Sequence, residues 1–249
     1  MNNLDLAKAQ LLAPTGLDED DLHKSLVVAL GGGIDAADLY FQSTLREAWS
    51  LDDGIVKDAS FSIERGVGVR AISGDKCGFA YSDDIEAQAL LESAQVARNI
   101  ARSGGPQQPS AWQVKSGHGL YSPESPLNVL DENDKMALLQ QADAAARAQD
   151  NRVKQVMVSL IGTHDTVLVA LSDGTLAADI RPLVRFNINV IVEHNGRREQ
   201  GSMGGGGRYD YQQFVANDCA KHFAQEAVRQ ALVNLCLLYT SDAADDTPC

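Results

Sequence analysis

Four short turns constrain this chain more than any other feature. Asp52-Asp53-Gly54, Gly74-Asp75-Lys76, Ser172-Asp173-Gly174 and Asn195-Gly196 each separate stretches rich in β-branched and aromatic residues. Glycine beside Asp or Asn favours the left-handed backbone of a tight hairpin, so the flanks of each turn are expected to pair antiparallel. In the first block, "DLYFQSTLREAWSL", "IVKDASFSIERGVGVRAIS" and "CGFAYS" read as a meander of about four strands, the middle stretch supplying two. A second block, Arg152 to Gly207, repeats the plan. "LDDGIVKD" in one block and "LSDGTLAAD" in the other share an acidic-Gly turn with an Asp a few residues on, which hints at internal duplication.

Helices are expected between and around these blocks. "NLDLAKAQLLA" stops at Pro14 and Gly16. "DEDDLHKSLVVAL" follows, its acids Asp18 to Asp21 sitting where a helix N-terminus favours negative charge rather than forming a metal cluster. "DDIEAQALLESAQVARNIARSGG" takes Asp83 or Asp84 as cap and Gly104 as stop. After a loop rich in Pro, Ser, Gly and Gln to about Pro126, a long helix starts at Asp131 and turns Met136, Leu139, Ala142 and Ala146 to one face. "RYDYQQFVANDCAKHFAQEAVRQALVNL" closes the readable chain with a stripe of Phe223, Ala227, Ala231 and Leu235. The fold class is α+β (α/β): two β-meander blocks with hairpin turns, interleaved with long helices.

The formal net charge is −13. That opposes nucleic-acid binding, which needs a basic surface. No apolar run approaches the roughly 20 residues a membrane-spanning helix requires, and the first residues lack the basic start and apolar centre of a signal peptide. Cys77, Cys219, Cys236 and Cys249 show no CxxC spacing, which fits a reducing cytoplasm better than a disulfide scaffold or structural zinc.

Local chemistry is sparse. None of the five histidines, His23, His118, His164, His194 and His222, stands four residues from another, the spacing that puts two imidazoles on one helix face for zinc. There is no GxSxG pattern, and no SxxK followed by supporting motifs. Two glycine-rich stretches stand out. Gly204, Gly205, Gly206, Gly207 and Arg208, ahead of the last helix, are candidates for contacting a peptide backbone or an anion through bare N–H groups. The same run also suits a close-packed connection. Gly66 and Gly68 in "GVGVRAISGDKCGFAYS" strip one strand face, marking a bulge, a tight contact or a ligand groove.

"DLYFQST", "GVGVRAISGDKCGFAYSDDI", "VLVALSDGTLAADIRPLVR" and "GSMGGGGRYDY", in that order, resemble the amino-terminal half of the TldD/PmbA family, also labelled modulators of DNA gyrase. The resemblance runs from about residue 3 to Leu235. It implies cytoplasmic zinc metallopeptidases that pair with a paralogous TldE/PmbA-like subunit and degrade unfolded or flexible peptides. In that family a zinc-bound water attacks the peptide carbonyl, held by an HExxxH motif and a later ligand. This sequence has no HE pair, so no catalytic or metal residue carries over. The expectation is an amino-terminal domain over residues 1–235, inactive alone and needing zinc only in the full-length protein. The alternative is a non-enzymatic anion- or nucleotide-binding module using the Gly204–Arg208 turn. "CLLYTSDAADDTPC", residues 236–249, resembles a translated sequencing adapter and is expected to be a non-native, disordered tail. On that view the stripe of the last helix packs on a missing domain and leaves an apolar patch.

Overall fold

The computed structural model describes residues 2–101, 109–115 and 119–245, with the backbone alone for 237–245. Helices α1 (Asn3–Leu11) and α2 (Glu19–Leu30) open the chain. Asp18 and Asp21 form a reciprocal capping box at the start of α2, so these acids serve the helix end. Strands β1 (Ala36–Asp52), β2 (Ile55–Ser73) and β3 (Lys76–Ser82) follow, then α3 (Ala87–Ala101). A short β4 (Gln113–Lys115) precedes α4 (Glu132–Arg147). Then come β5 (Val153–Leu171), β6 (Thr175–His194), β7 (Arg197–Gly207), α5 (Gln212–Ala216) and α6 (Cys219–Asp245).

The four turns behave as the sequence requires. Asp53 and Gly54 both have positive φ, 50° and 74°, as do Asn195 and Gly196, 53° and 79°. Positive φ at both central residues defines the two-residue type I′ hairpin, whose twist matches that of the strands it joins. The strands form one seven-stranded sheet in the order β3-β2-β1-β5-β6-β4, with β7 also on β6. β2 and β3 pair from Val67↔Ser82 to Ser73↔Lys76, and β6 and β7 from Val184↔Gly207 to His194↔Arg197, both antiparallel.

Four details differ from the sequence expectation. Ile55–Ser73 is one strand of 19 residues, not two. Gly66 and Gly68 do not have positive φ, so neither breaks it. Helix α3 begins at Ala87, after Asp83 and Asp84, because the Ser82 hydroxyl accepts the Asp84 N–H and holds that segment in a bend. β4, parallel to β6 at Gln113↔Thr175, is too short to carry a periodic signal. Finally, α6 runs on to Asp245 where a disordered tail is expected from Cys236, its sequence there containing no Pro before Pro248.

The chain divides into two units. Unit 1 comprises Met1–Leu45, Ile63–Pro123 and His164–Arg181; unit 2 comprises Arg46–Ser62, Glu124–Thr163 and Pro182–Cys249. In unit 1, α2 and α3 bury Leu22, Leu26, Leu30, Leu90 and Ala97, and α1 buries Leu4, Ala7 and Leu11, with the inward strand residues Leu39, Phe41, Val67 and Val69. A fully buried leucine of this kind contributes roughly 1.5–3 kcal/mol by leaving water. Strand alternation sends Tyr40, Gln42 and Thr44 of β1 and Gly66 and Gly68 of β2 to the other sheet face.

In unit 2, Leu139, Ala142 and Ala146 of α4 and Phe223, Ala227, Val228 and Ala231 of α6 are buried. α6 lies on β7 and against α4. Its apolar stripe is therefore covered within this chain as far as Leu235, correcting the expectation that it waits for a missing domain. Each unit contains a hairpin followed by a helix on its second strand, β2–β3 with α3 and β6–β7 with α6. The common device is a glycine. A Cβ on Gly78 would strike the Ala97 carbonyl oxygen and the Ala101 nitrogen of α3, and one on Gly201 the corresponding atoms of Ala227 and Ala231 in α6. The shared element order and this shared contact extend the hint of duplication found in the turns.

Candidate functional site

Gly204–Gly207 form the end of strand β7, paired with Asn187, Phe186, Arg185 and Val184 of β6 in that order. They are not a turn. A Cβ on Gly205 would press into the Phe223 ring at 2.9 Å, and one on Gly206 into the Val184 carbonyl oxygen. The glycines thus let β7 sit close to its neighbours. Arg208 Nη1 donates to the Pro182 carbonyl oxygen at 3.4 Å. The following helix, α5, has five residues and no side-chain cap, so it offers little dipole to an anion.

The histidines are dispersed. His23 meets Trp112 edge-on, with ring centroids 6.3 Å apart. His194 is exposed at the end of β6, and His222 lies beside Phe223 on α6. His118 lies outside the described residues. His164 is buried, its Nε2 3.1 Å from the Pro123 carbonyl oxygen. Burial holds its pKa below the usual histidine value, against the opposing pull of that hydrogen bond and of Asp165. Among the described residues no group of three or more His, Cys, Asp or Glu side chains is placed to hold a metal ion. These donors do not fit a metallopeptidase centre.

One buried ionic cluster does exist, in unit 2. Lys135 of α4 has its ammonium 2.8 Å from Glu47 Oε1 of β1, with side chains only 5% and 12% exposed. The ammonium also lies 5.9 Å from the Trp49 ring centroid and 5.5 Å from that of Tyr211, within cation–π range of both. The Tyr211 hydroxyl donates to Glu47 at 3.4 Å, and desolvation, reinforced by the Glu47 charge, pushes its pKa far up. A Cβ on Gly162 would occupy the place of that hydroxyl. Every charge is matched within the cluster, so its role is to lock α4, β1 and the Tyr211 segment together.

The open concavity of unit 1 has a different character. A trough of about 370 Å³ lies on the sheet face that the helices leave bare. Gly66 and Gly68 form its floor, Tyr40, Gln42 and Thr44 one wall, and Phe79 and Tyr81 of β3 the other. Tyr81 is 72% exposed and Phe79 56%, unusual for aromatic side chains standing on a sheet. The Thr44 hydroxyl donates to Asp165 at 2.7 Å and accepts from Gln42 at 3.1 Å, which fixes the polar wall. Alternate glycines at 66 and 68 were the sequence signal for this place. The aromatic wall gave no signal, because aromatics on a strand read equally well as core.

The architecture defines an α+β protein of two hairpin-and-helix units with a bare sheet face and no described metal centre. Its residues 37–101 match the family model for PmbA/TldA metallopeptidase domain 1, and residues 125–235 the model for the PmbA/TldA metallopeptidase central domain. The chain is 48% identical over 231 residues to the metalloprotease TldD homolog of Haemophilus influenzae, covering 90% of this chain and 48% of that protein. It is 39% identical over 238 residues to the metalloprotease TldD homolog of Buchnera aphidicola subsp. Schizaphis graminum, covering 93% and 49%. In fold it is similar to a protein described as a modulator of DNA gyrase from Bacteroides thetaiotaomicron (TM-score 0.68, 17% identity, 87% of this chain and 50% of that one). It is also similar to TldE from Thermococcus kodakarensis (TM-score 0.59, 14% identity, 80% and 44%). The chain belongs to the PmbA/TldD metallopeptidase family and spans about half the length of the relatives it matches.

Proposed function

We propose that this chain is the peptide-handling part of a TldD-type zinc metallopeptidase subunit, and that it cleaves no bond by itself. The observation that carries this reading is the presence of domain 1 and the central domain, in order, on one chain. The relatives that share them are named metalloproteases. The metal ligands then belong to sequence that this chain does not hold, and residues 236–249 are not native to the protein. What the chain supplies is a sheet with a bare face and an uncovered edge, suited to unfolded or flexible peptides because main-chain pairing is tolerant of sequence. Its partner is a TldE/PmbA-like paralogous subunit. The cytoplasm is the proposed location, in keeping with free thiols at Cys77, Cys219 and Cys236.

Equilibrium dialysis against zinc tests the division of labour. The purified chain is expected to retain no stoichiometric zinc after removal of adventitious ions. Retention of one tightly held zinc per chain would overturn it.

A further inference from the structure

We infer that the trough of unit 1 is a seat for one basic side chain, lysine or arginine, of an extended peptide. The inference rests on the peptide-handling reading above and names what that part of the chain recognises. Three features of the trough converge on this ligand. Over its glycines lie the Phe79 ring, against Gly68, and the Ser82 carbonyl oxygen, against Gly66, so the floor presents an aromatic ring and an acceptor. Its walls present the rings of Tyr40, Phe79 and Tyr81, whose faces attract cations. Glu64 and Asp83 line its end, and among the described residues neither has an ion-pair or hydrogen-bond partner.

The competing chemistries fit less well. An anion would meet Glu64 and Asp83 with only Arg65 among the lining residues to offset them, and Arg70, on the same face as Gly68, is bound to Asp38 at 2.7 Å. A purely apolar ligand would bury Glu64 and Asp83 without compensation. A second copy of this chain would bring another −13 of net charge.

The main chain explains why the ligand is a peptide and not a free amine. β3 ends at Ser82, opposite Val67, and no other strand lies beside β2 on that side among the described residues. From Arg65 back to Ile63 the β2 edge therefore offers backbone donors and acceptors in line with β3. A peptide added there continues the line of β3 and brings alternate side chains to the face that carries the trough.

Fluorescence anisotropy on the purified chain, without metal, tests this with a labelled Gly-Ser peptide carrying one central lysine. The same peptide with norleucine or glutamate at that position serves as comparison. The lysine peptide should bind about tenfold more tightly than the norleucine one, a gap that narrows at high salt. Glu64→Gln should weaken the lysine peptide several-fold and leave norleucine unchanged, while Tyr81→Ala weakens lysine and Tyr81→Phe restores it. Both sites are exposed, and circular dichroism melting confirms that the variants fold. Equal binding of lysine and norleucine peptides, no binding at all, or indifference to Glu64→Gln would overturn the inference. None of these outcomes bears on where the metal is held, so the two proposals fail separately.

Discussion

Gly201 shows how much depends on a single missing methyl group. Its hydrogen faces the backbone of Ala227 and Ala231, so any side chain must push β7 and α6 apart. Gly201→Ala should lower the unfolding free energy by about 1–3 kcal/mol, the usual cost of overpacking, whereas Ser202→Ala on the exposed face should change it by less than about 0.5 kcal/mol. Urea denaturation midpoints check both. The Lys135–Glu47 pair makes a complementary point about charge. Lys135→Met strands the Glu47 carboxylate in a dry site and should cost about 3–5 kcal/mol, while Lys135→Met with Glu47→Leu should recover most of that loss. Equal destabilisation by the single and double variants would contradict it. His164 adds a pH dependence. Its imidazole is held neutral by burial in the folded chain, while in the unfolded chain it takes a proton near the usual value of 6.5. Its contribution is complete above that value and declines as the pH falls below it. The urea midpoint should therefore drop between about pH 7.5 and pH 5.5, and drop less in His164→Gln.

At the scale of elements, the hairpins were the most legible part. Asp53-Gly54 and Asn195-Gly196 adopt the positive φ that their residue types favour, and the strand boundaries follow from them. The capping of α4 by Asp131, which accepts the Asp134 N–H at 2.8 Å, was equally readable because cap chemistry is local. What the sequence concealed depends on neighbours. Gly66, Gly78 and Gly204 are indistinguishable in one dimension, yet the first lies on the trough floor, the second makes room for α3 and the third for β6. Only packing separates them. The edge of unit 2 carries a prediction of its own. Residues Ile55–Ser62 of β2 are exposed throughout, with Ile55 at 62% and Phe61 at 58%. An exposed edge that carries Ile55, Val56 and Phe61 recruits other strands. Concentration-dependent association on gel filtration should follow, and Val56→Lys with Phe61→Lys should reduce it; association that is unchanged in this double variant would refute the role of β2.

For the whole molecule, the family assignment and the chemistry of the described side chains point in different directions. The relatives are named metalloproteases, yet the described residues of this chain assemble no metal-binding group. The proposed division of labour would reconcile the two: on that proposal these units shape and hold the peptide, and the hydrolytic metal belongs to the part of the relatives that this chain does not match. Such a division also explains why the residues that stand out, bare glycines and exposed aromatics, suit binding better than bond cleavage. The direct measurement is a cleavage assay in which the purified chain, supplemented with zinc, is offered an unstructured casein-derived peptide and followed by mass spectrometry. The account predicts an intact peptide throughout. Fragments that appear in proportion to the amount of chain added, and that vanish with a chelator, would contradict it.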